Sequence, residues 1–135
     1  MASNRHQFIV GLLVKRMRED GIVIHALDGK YPGLFGNSMP LPPRIINHRP
    51  DIVGSSVNGQ ICIGEAKTES DISNSRTYEQ LQDFLVMELN GLICKVYLGI
   101  PKSSEVVFTK TLSRLGLSTC NNLVLLLVPD IIINA

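Results

Sequence analysis

The chain has 135 residues, enough for one domain (1–135) with a real core and too few for two. Apolar residues make up 44% and charged residues 19%, which excludes wholesale disorder, and the longest apolar run, 123–128, is too short to span a membrane. A formal net charge of +1 confers no general affinity for polyanions, so any nucleic-acid contact must come from where the cations fall.

From about Arg5 to Asp20 the spacing of His6, Val10, Leu13 and Met17 puts them on one helical face, and Gly21 stops the helix. Ile22-Val23-Ile24 reads as a strand. Between Asp28 and Pro43, Asp28-Gly29, Pro32-Gly33, Gly36-Asn37 and three prolines predict a long loop, either functional or a surface excursion. Asp51-Ile52-Val53 and Gln60–Lys67 then flank Asn58-Gly59, the strongest short-range signal for a hairpin. Ser73 or Ser75 caps a helix running to about Asn90 and closed by Gly91, with Tyr78, Leu81, Leu85 and Leu89 as its apolar stripe. Leu92 to Ile100 reads as a strand, 103–115 as an amphipathic helix closed by Gly116, and 123–128 as a buried strand. The order αβββαβ, followed by a helix and a strand, predicts an α/β fold: a mixed central sheet flanked by helices.

Cys62, Cys94 and Cys120 are odd in number and lack CxxC spacing, which argues against a disulfide framework or a structural zinc site. With no signal-peptide pattern at the N-terminus, a reducing cytoplasm is the expected compartment.

The candidate chemistry lies in Arg49-Pro50-Asp51 and Gly64-Glu65-Ala66-Lys67. Strand alternation sends Glu65 and Lys67 to one face and Ala66 to the other. Asp51 and Glu65 each lie about seven positions from the turn, so pairing across the hairpin brings them together. Two carboxylates form a hard-oxygen site of the kind Mg²⁺ takes, with a positive group beside it. The competing reading is a strand-end salt bridge on a solvated edge.

Pro50-Asp51, Glu65-Ala66-Lys67, the helix and strand before them and the helix carrying Tyr78 and Gln80 resemble the PD-(D/E)xK, or restriction-endonuclease-like, nuclease superfamily. The resemblance covers roughly residues 5 to 100. It implies that Asp51, Glu65 and the Ala66 carbonyl ligate Mg²⁺, with Mn²⁺ able to substitute. Lys67 then orients or activates the attacking water or steadies the pentavalent phosphate. Gln80 resembles a glutamine of some family branches and shares a stripe with Arg76 and Asp83, which can line a groove or form an ordinary exposed face. Many members carry an acid in the first helix. Here no carboxylate precedes Glu19, and His6 either takes that role or is merely packed.

The implied activity is metal-dependent hydrolysis of DNA phosphodiesters, junction-resolving or site-specific. Lys30, Arg44, His48, Arg49 and Arg76 are the candidate nucleic-acid contacts. The family's small members act as dimers, so a homodimer is expected; the apolar stretch 123–133 either supplies its interface or completes the core. The alternative is a catalytically silent DNA-binding or assembly module on the same fold.

Overall fold

The computed structural model describes residues 3–29, 31 and 39–134. It opens with α1 (Asn4–Glu19), whose Ser3 side chain accepts a hydrogen bond from the His6 N–H and so satisfies one of the helix's free donors. Ile9, Val10, Leu13, Val14 and Met17 of α1 have no exposed surface, and each such side chain contributes roughly 1.5–3 kcal/mol. Three strands follow, β1 (Val23–Leu27), β2 (Ile52–Ser55) and β3 (Ile61–Ala66). A one-turn helix α2 (Glu69–Ile72) leads into α3 (Ser75–Leu85), and a hairpin of β4 (Glu88–Leu89) and β5 (Leu92–Ile93) precedes β6 (Lys95–Pro101). A 3-10 turn (Lys102–Ser104), α4 (Glu105–Arg114), β7 (Leu123–Val128) and α5 (Asp130–Ile133) complete the described chain.

The five-stranded sheet has the order β1-β2-β3-β6-β7. β1, β2 and β3 pair antiparallel, whereas β3–β6 and β6–β7 are parallel, the latter two joined through helices. This is the αβββαβ order expected for a restriction-endonuclease-like core. One face of the sheet, with Ile52, Cys62, Ala66 and Tyr97, packs on α1. The other, with Ile63, Val96, Leu98 and Ile100, packs on Tyr78, Leu81, Phe84 and Leu85 of α3 and Phe108 of α4. Gly64 and Gly99 let α1 lie close to the sheet: a Cβ on Gly99 would come within 2.6 Å of Ile9 Cγ2, and one on Gly64 within 3.1 Å of Met17 Sδ.

The hairpin at Asn58-Gly59 forms as expected, with Ser55 opposite Ile61 and Gly59 at φ 86° closing the turn. The second expectation for an Asn-Gly pair is corrected. α3 stops at Leu85, and Asn90-Gly91, at φ 53° and 79°, turns the β4–β5 hairpin instead of ending a helix. Two consecutive left-handed residues match the twist of a two-stranded ribbon, so the pair favours a tight hairpin over a helix cap. Leu89 is accordingly 51% exposed and no part of the apolar stripe. The helix cap is Asn74, whose side chain accepts from the Arg76 N–H, rather than either serine.

Among the described residues all three cysteines are free, and no helix is long and apolar enough to cross a membrane.

Candidate active site

The β2–β3 register pairs Ile52 with Gly64, so the next residues outward, Asp51 and Glu65, face each other where the hairpin strands end. Their side chains interlock through the backbone. Glu65 Oε1 accepts from the Asp51 N–H at 3.2 Å, and Asp51 Oδ2 accepts from the Ala66 N–H at 2.9 Å. Both residues are buried. In an extended strand a residue's N–H and C=O point to the same side, so the Ala66 carbonyl is directed toward Asp51 as well.

Glu65 and Lys67 emerge on the face covered by α3, as strand alternation requires. There Gln80 bridges them. Its amide nitrogen donates to Glu65 Oε1 at 3.1 Å and its amide oxygen accepts from Lys67 Nζ at 2.7 Å. Lys67 Nζ also lies 3.6 Å from Glu65 Oε2. The Gln80 bond uses one of the ammonium's three protons and the 3.6 Å approach to Glu65 is an ion pair longer than a hydrogen bond, which leaves donor capacity for an incoming oxygen. Gln80 therefore contacts both Glu65 and Lys67 and is not an ordinary exposed side chain. Asp83, on the same stripe, turns away and pairs with His48 Nε2 at 2.7 Å.

The electrostatics are unbalanced. Burial, followed by the adjacent Asp51 charge, pushes the Glu65 carboxyl well above its ordinary range; Lys67 opposes this without cancelling it. His6 Nε2 reaches from α1 to within 3.2 Å of Asp51 Oδ2, and that hydrogen bond raises the imidazole pKa even though burial works against it. His6 Nδ1 is buried with no partner among the described residues. The half-buried Tyr31 hydroxyl is pushed up to about 12 by burial and by the Asp51 and Asp28 charges.

The carboxylates, Lys67, Gln80 and His6 open into a cleft of about 460 Å³. His6, Asp51, Glu65, Ala66, Lys67 and Gln80 line its floor, and Arg44, His48, Arg49 and Arg76 its walls, so all the sequence candidates that can be placed share one cavity. Lys30 lies outside the described residues. The guanidinium groups of Arg44, Arg49 and Arg76 make no hydrogen bond or ion pair among the described residues. Asn47, Asp71, Asn74 and Thr77, which no catalytic motif in the sequence marks, also border the cleft. Asp71 was legible only through Thr68, three residues before it: Asp71 Oδ2 accepts from the Thr68 N–H at 2.8 Å, the reciprocal half of a helix-start motif.

Asn47 belongs to a tight turn at the cleft wall. Ile45 and His48 exchange backbone hydrogen bonds of 2.6 and 3.0 Å around Ile46 and Asn47, which sit at φ 49° and 64°. Asparagine accepts that region readily, but a β-branched residue there is strained by about 1–3 kcal/mol.

Two carboxylates, with a backbone carbonyl beside them, are what this site offers a cation. Among the described residues no three His, Cys, Asp or Glu side chains gather to hold a metal. That donor set suits Mg²⁺, which keeps several waters and takes one or two carboxylates, and it does not suit a closed all-protein cage. The Glu65 carboxyl, buried beside the Asp51 charge and only partly offset by Lys67, fits a dication in the same way.

No family model matches the sequence, and no curated protein does. Among solved structures, the crystal structure of a repair endonuclease from Pyrococcus abyssi is similar over 96% of this chain and 48% of its own length, at 15% identity and a TM-score of 0.45. The chain thus spans about half of that protein.

Proposed function

We propose that this protein is a divalent-cation-dependent endonuclease of the PD-(D/E)xK type that hydrolyses DNA phosphodiesters. The observation that carries the reading is the convergence of Asp51, Glu65 and Lys67 from two antiparallel strands at the floor of one arginine-walled cleft. A salt bridge on a solvated edge would place these groups in the open; here both carboxylates are buried and held in register by backbone donors.

In this reading Asp51, Glu65 and the Ala66 carbonyl hold Mg²⁺, or Mn²⁺ in its place. When bound, such a cation polarises the phosphodiester and lowers the pKa of water. Lys67 supplies its remaining proton as a hydrogen bond to the attacking water or to a non-bridging phosphate oxygen. Gln80 fixes where that ammonium points, since its own oxygen is committed to it at 2.7 Å. Water adds to phosphorus in line as the opposite P–O ester bond breaks; the water gives up a proton to solvent and the departing oxygen takes one up from solvent. Arg44, Arg49 and Arg76 pair with backbone phosphates and raise the local concentration of the polyanion despite a net charge of only +1.

A homodimer fits the same reading, because two sites address two strands. β7 is an edge strand whose side chains are partly buried against the core, and Ile131 and Ile132 beside it are 82% and 48% exposed.

Two observations favour a silent binding module instead: His6 occupies Asp51 Oδ2, an oxygen a cation would use, and α1 carries no acid in its first turn. Cleavage of labelled duplex, nicked, flap and four-way DNA in Mg²⁺ or Mn²⁺ separates the two readings. Metal-dependent cutting supports the nuclease. A folded protein that binds these DNAs and cuts none of them sinks it.

A further inference from the structure

The paired backbone of Ile45 and His48 imposes the left-handed turn at the cleft wall, but nothing in the fold explains an isoleucine in it. Ile46 stands in the left-handed region, where glycine or asparagine would be at ease, and its side chain is 45% exposed rather than packed. The residues beneath it are anchored. Ile45 packs against the buried cluster that includes Phe84, while His48 is held by Asp83 at 2.7 Å and meets the Phe84 ring edge-on at 5.6 Å. A rigid base therefore carries an exposed apolar tip. Arg44 and Arg49, the residues just outside the turn, line the cleft, as does Asn47 next to Ile46. Apolar tip, paired cations and a neighbouring hydrolytic site together suit a nucleic acid whose backbone is held while its stack is entered.

Resting on the nuclease reading above, we propose that the Ile46–Asn47 turn is a wedge that enters interrupted base stacking, making DNA with a mismatch, bulge or branch the substrate class. Apolar side chains inserted between base steps unstack them and bend the duplex, at a cost that is least where pairing is already lost. One isoleucine buries too little surface to open a continuous duplex. At a defect the stack is already broken, and the same side chain has a surface to cover. Arg44 and Arg49 grip phosphates on either side of the turn, and the carboxylate pair meets the backbone beside the defect.

The test uses the full chain in EDTA, so that hydrolysis plays no part. Its probes are a matched duplex and the same duplex carrying a mismatched bubble, each with 2-aminopurine at the step next to the bubble position. The wild type is expected to bind the bubble about tenfold more tightly and to raise its 2-aminopurine fluorescence. Ile46→Gly and Ile46→Asn are expected to cut that preference to about twofold or less and to abolish the rise, whereas Ile46→Leu keeps both. Because glycine and asparagine are at home at positive φ, neither variant is expected to melt below the wild type.

Unchanged preference in Ile46→Gly overturns the wedge, as does a wild type without preference. A fall in melting temperature overturns it too, since it would show that Ile46 serves the fold. Loss of preference in the variants, with no Mg²⁺-dependent cutting by the wild type, sustains the wedge and sinks the nuclease. Cutting that is indifferent to Ile46 does the reverse.

Discussion

Replacing Glu65 by glutamine should make the metal-free protein more stable at neutral pH while removing its capacity for chemistry. The wild-type carboxylate is 5% exposed and faces Asp51 across the strand pair, so burial and like charge both disfavour its ionised form. Glutamine resembles the protonated acid in shape and still accepts from the Asp51 N–H; what it gives up is the 3.6 Å contact with Lys67. Lys67 is the weaker influence on Glu65, so the balance favours the neutral side chain. Relieving a misfit charge of this kind commonly returns about 0.5–2 kcal/mol. In a domain of this size each kcal/mol is roughly 3–5 °C in Tm. The sign with pH follows from the direction of the shift. A carboxyl whose folded-state pKa is raised contributes stability that is fully present below its ordinary value of 4.5 and is lost as pH rises through the folded-state value. Wild-type Tm in EDTA should therefore fall on going from mildly acid to neutral pH, more steeply than that of Glu65→Gln. His6, whose pKa is also raised, leaves a residual slope of the same sign in both proteins. Adding Mg²⁺ should restore the wild type and leave the variant unmoved, because only the wild type presents both carboxylates. Thermal unfolding followed by circular dichroism across this pH range, with EDTA and with Mg²⁺, measures all of it. A Glu65→Gln protein that melts below the wild type at neutral pH in EDTA would mean that ionised Glu65 is a net stabiliser.

Gly99→Ala should destabilise the fold by about 1–3 kcal/mol, because the new methyl meets the stiff Ile9 Cγ2 at 2.6 Å and Leu13 Cγ at 3.2 Å; a urea midpoint equal to wild type would contradict the packing of α1 on the sheet. Alanine at Arg44, Arg49 or Arg76 should weaken DNA binding evenly across sequences and lower the slope of log affinity against log salt by about one per arginine, read by fluorescence anisotropy. An unaltered slope would mean that these guanidinium groups do not touch phosphate.

Local signals in the sequence make much of the fold legible. The apolar period of α1, the Asn58-Gly59 turn and the apolar run of β7 each specify one element, and the chain order of those elements fixes which strands can be neighbours. The same alternation that packs Ile61 and Ile63 against the core puts Glu65 and Lys67 on one face, and so points to the site. Asn90-Gly91 misleads because an asparagine-glycine pair suits both a helix stop and a hairpin; the choice is made by strand pairing that no single window of sequence contains. His48 reads as a free cation in the sequence, yet α3 brings Asp83 against it from 35 positions away. The left-handed Ile46 is not legible at all, because residue type argues against that conformation and only the paired backbone of Ile45 and His48 imposes it.

The central claim is that Asp51, Glu65 and Lys67 act together on a phosphodiester. It is tested most directly by single-turnover cleavage of labelled DNA in Mg²⁺, comparing the wild type with Asp51→Asn and Lys67→Ala at matched folded fraction. Metal-dependent cutting by the wild type is expected, with a loss of about 10²–10³-fold or more in each variant. Variants that cut at the wild-type rate, or a folded wild type that cuts nothing, would contradict it.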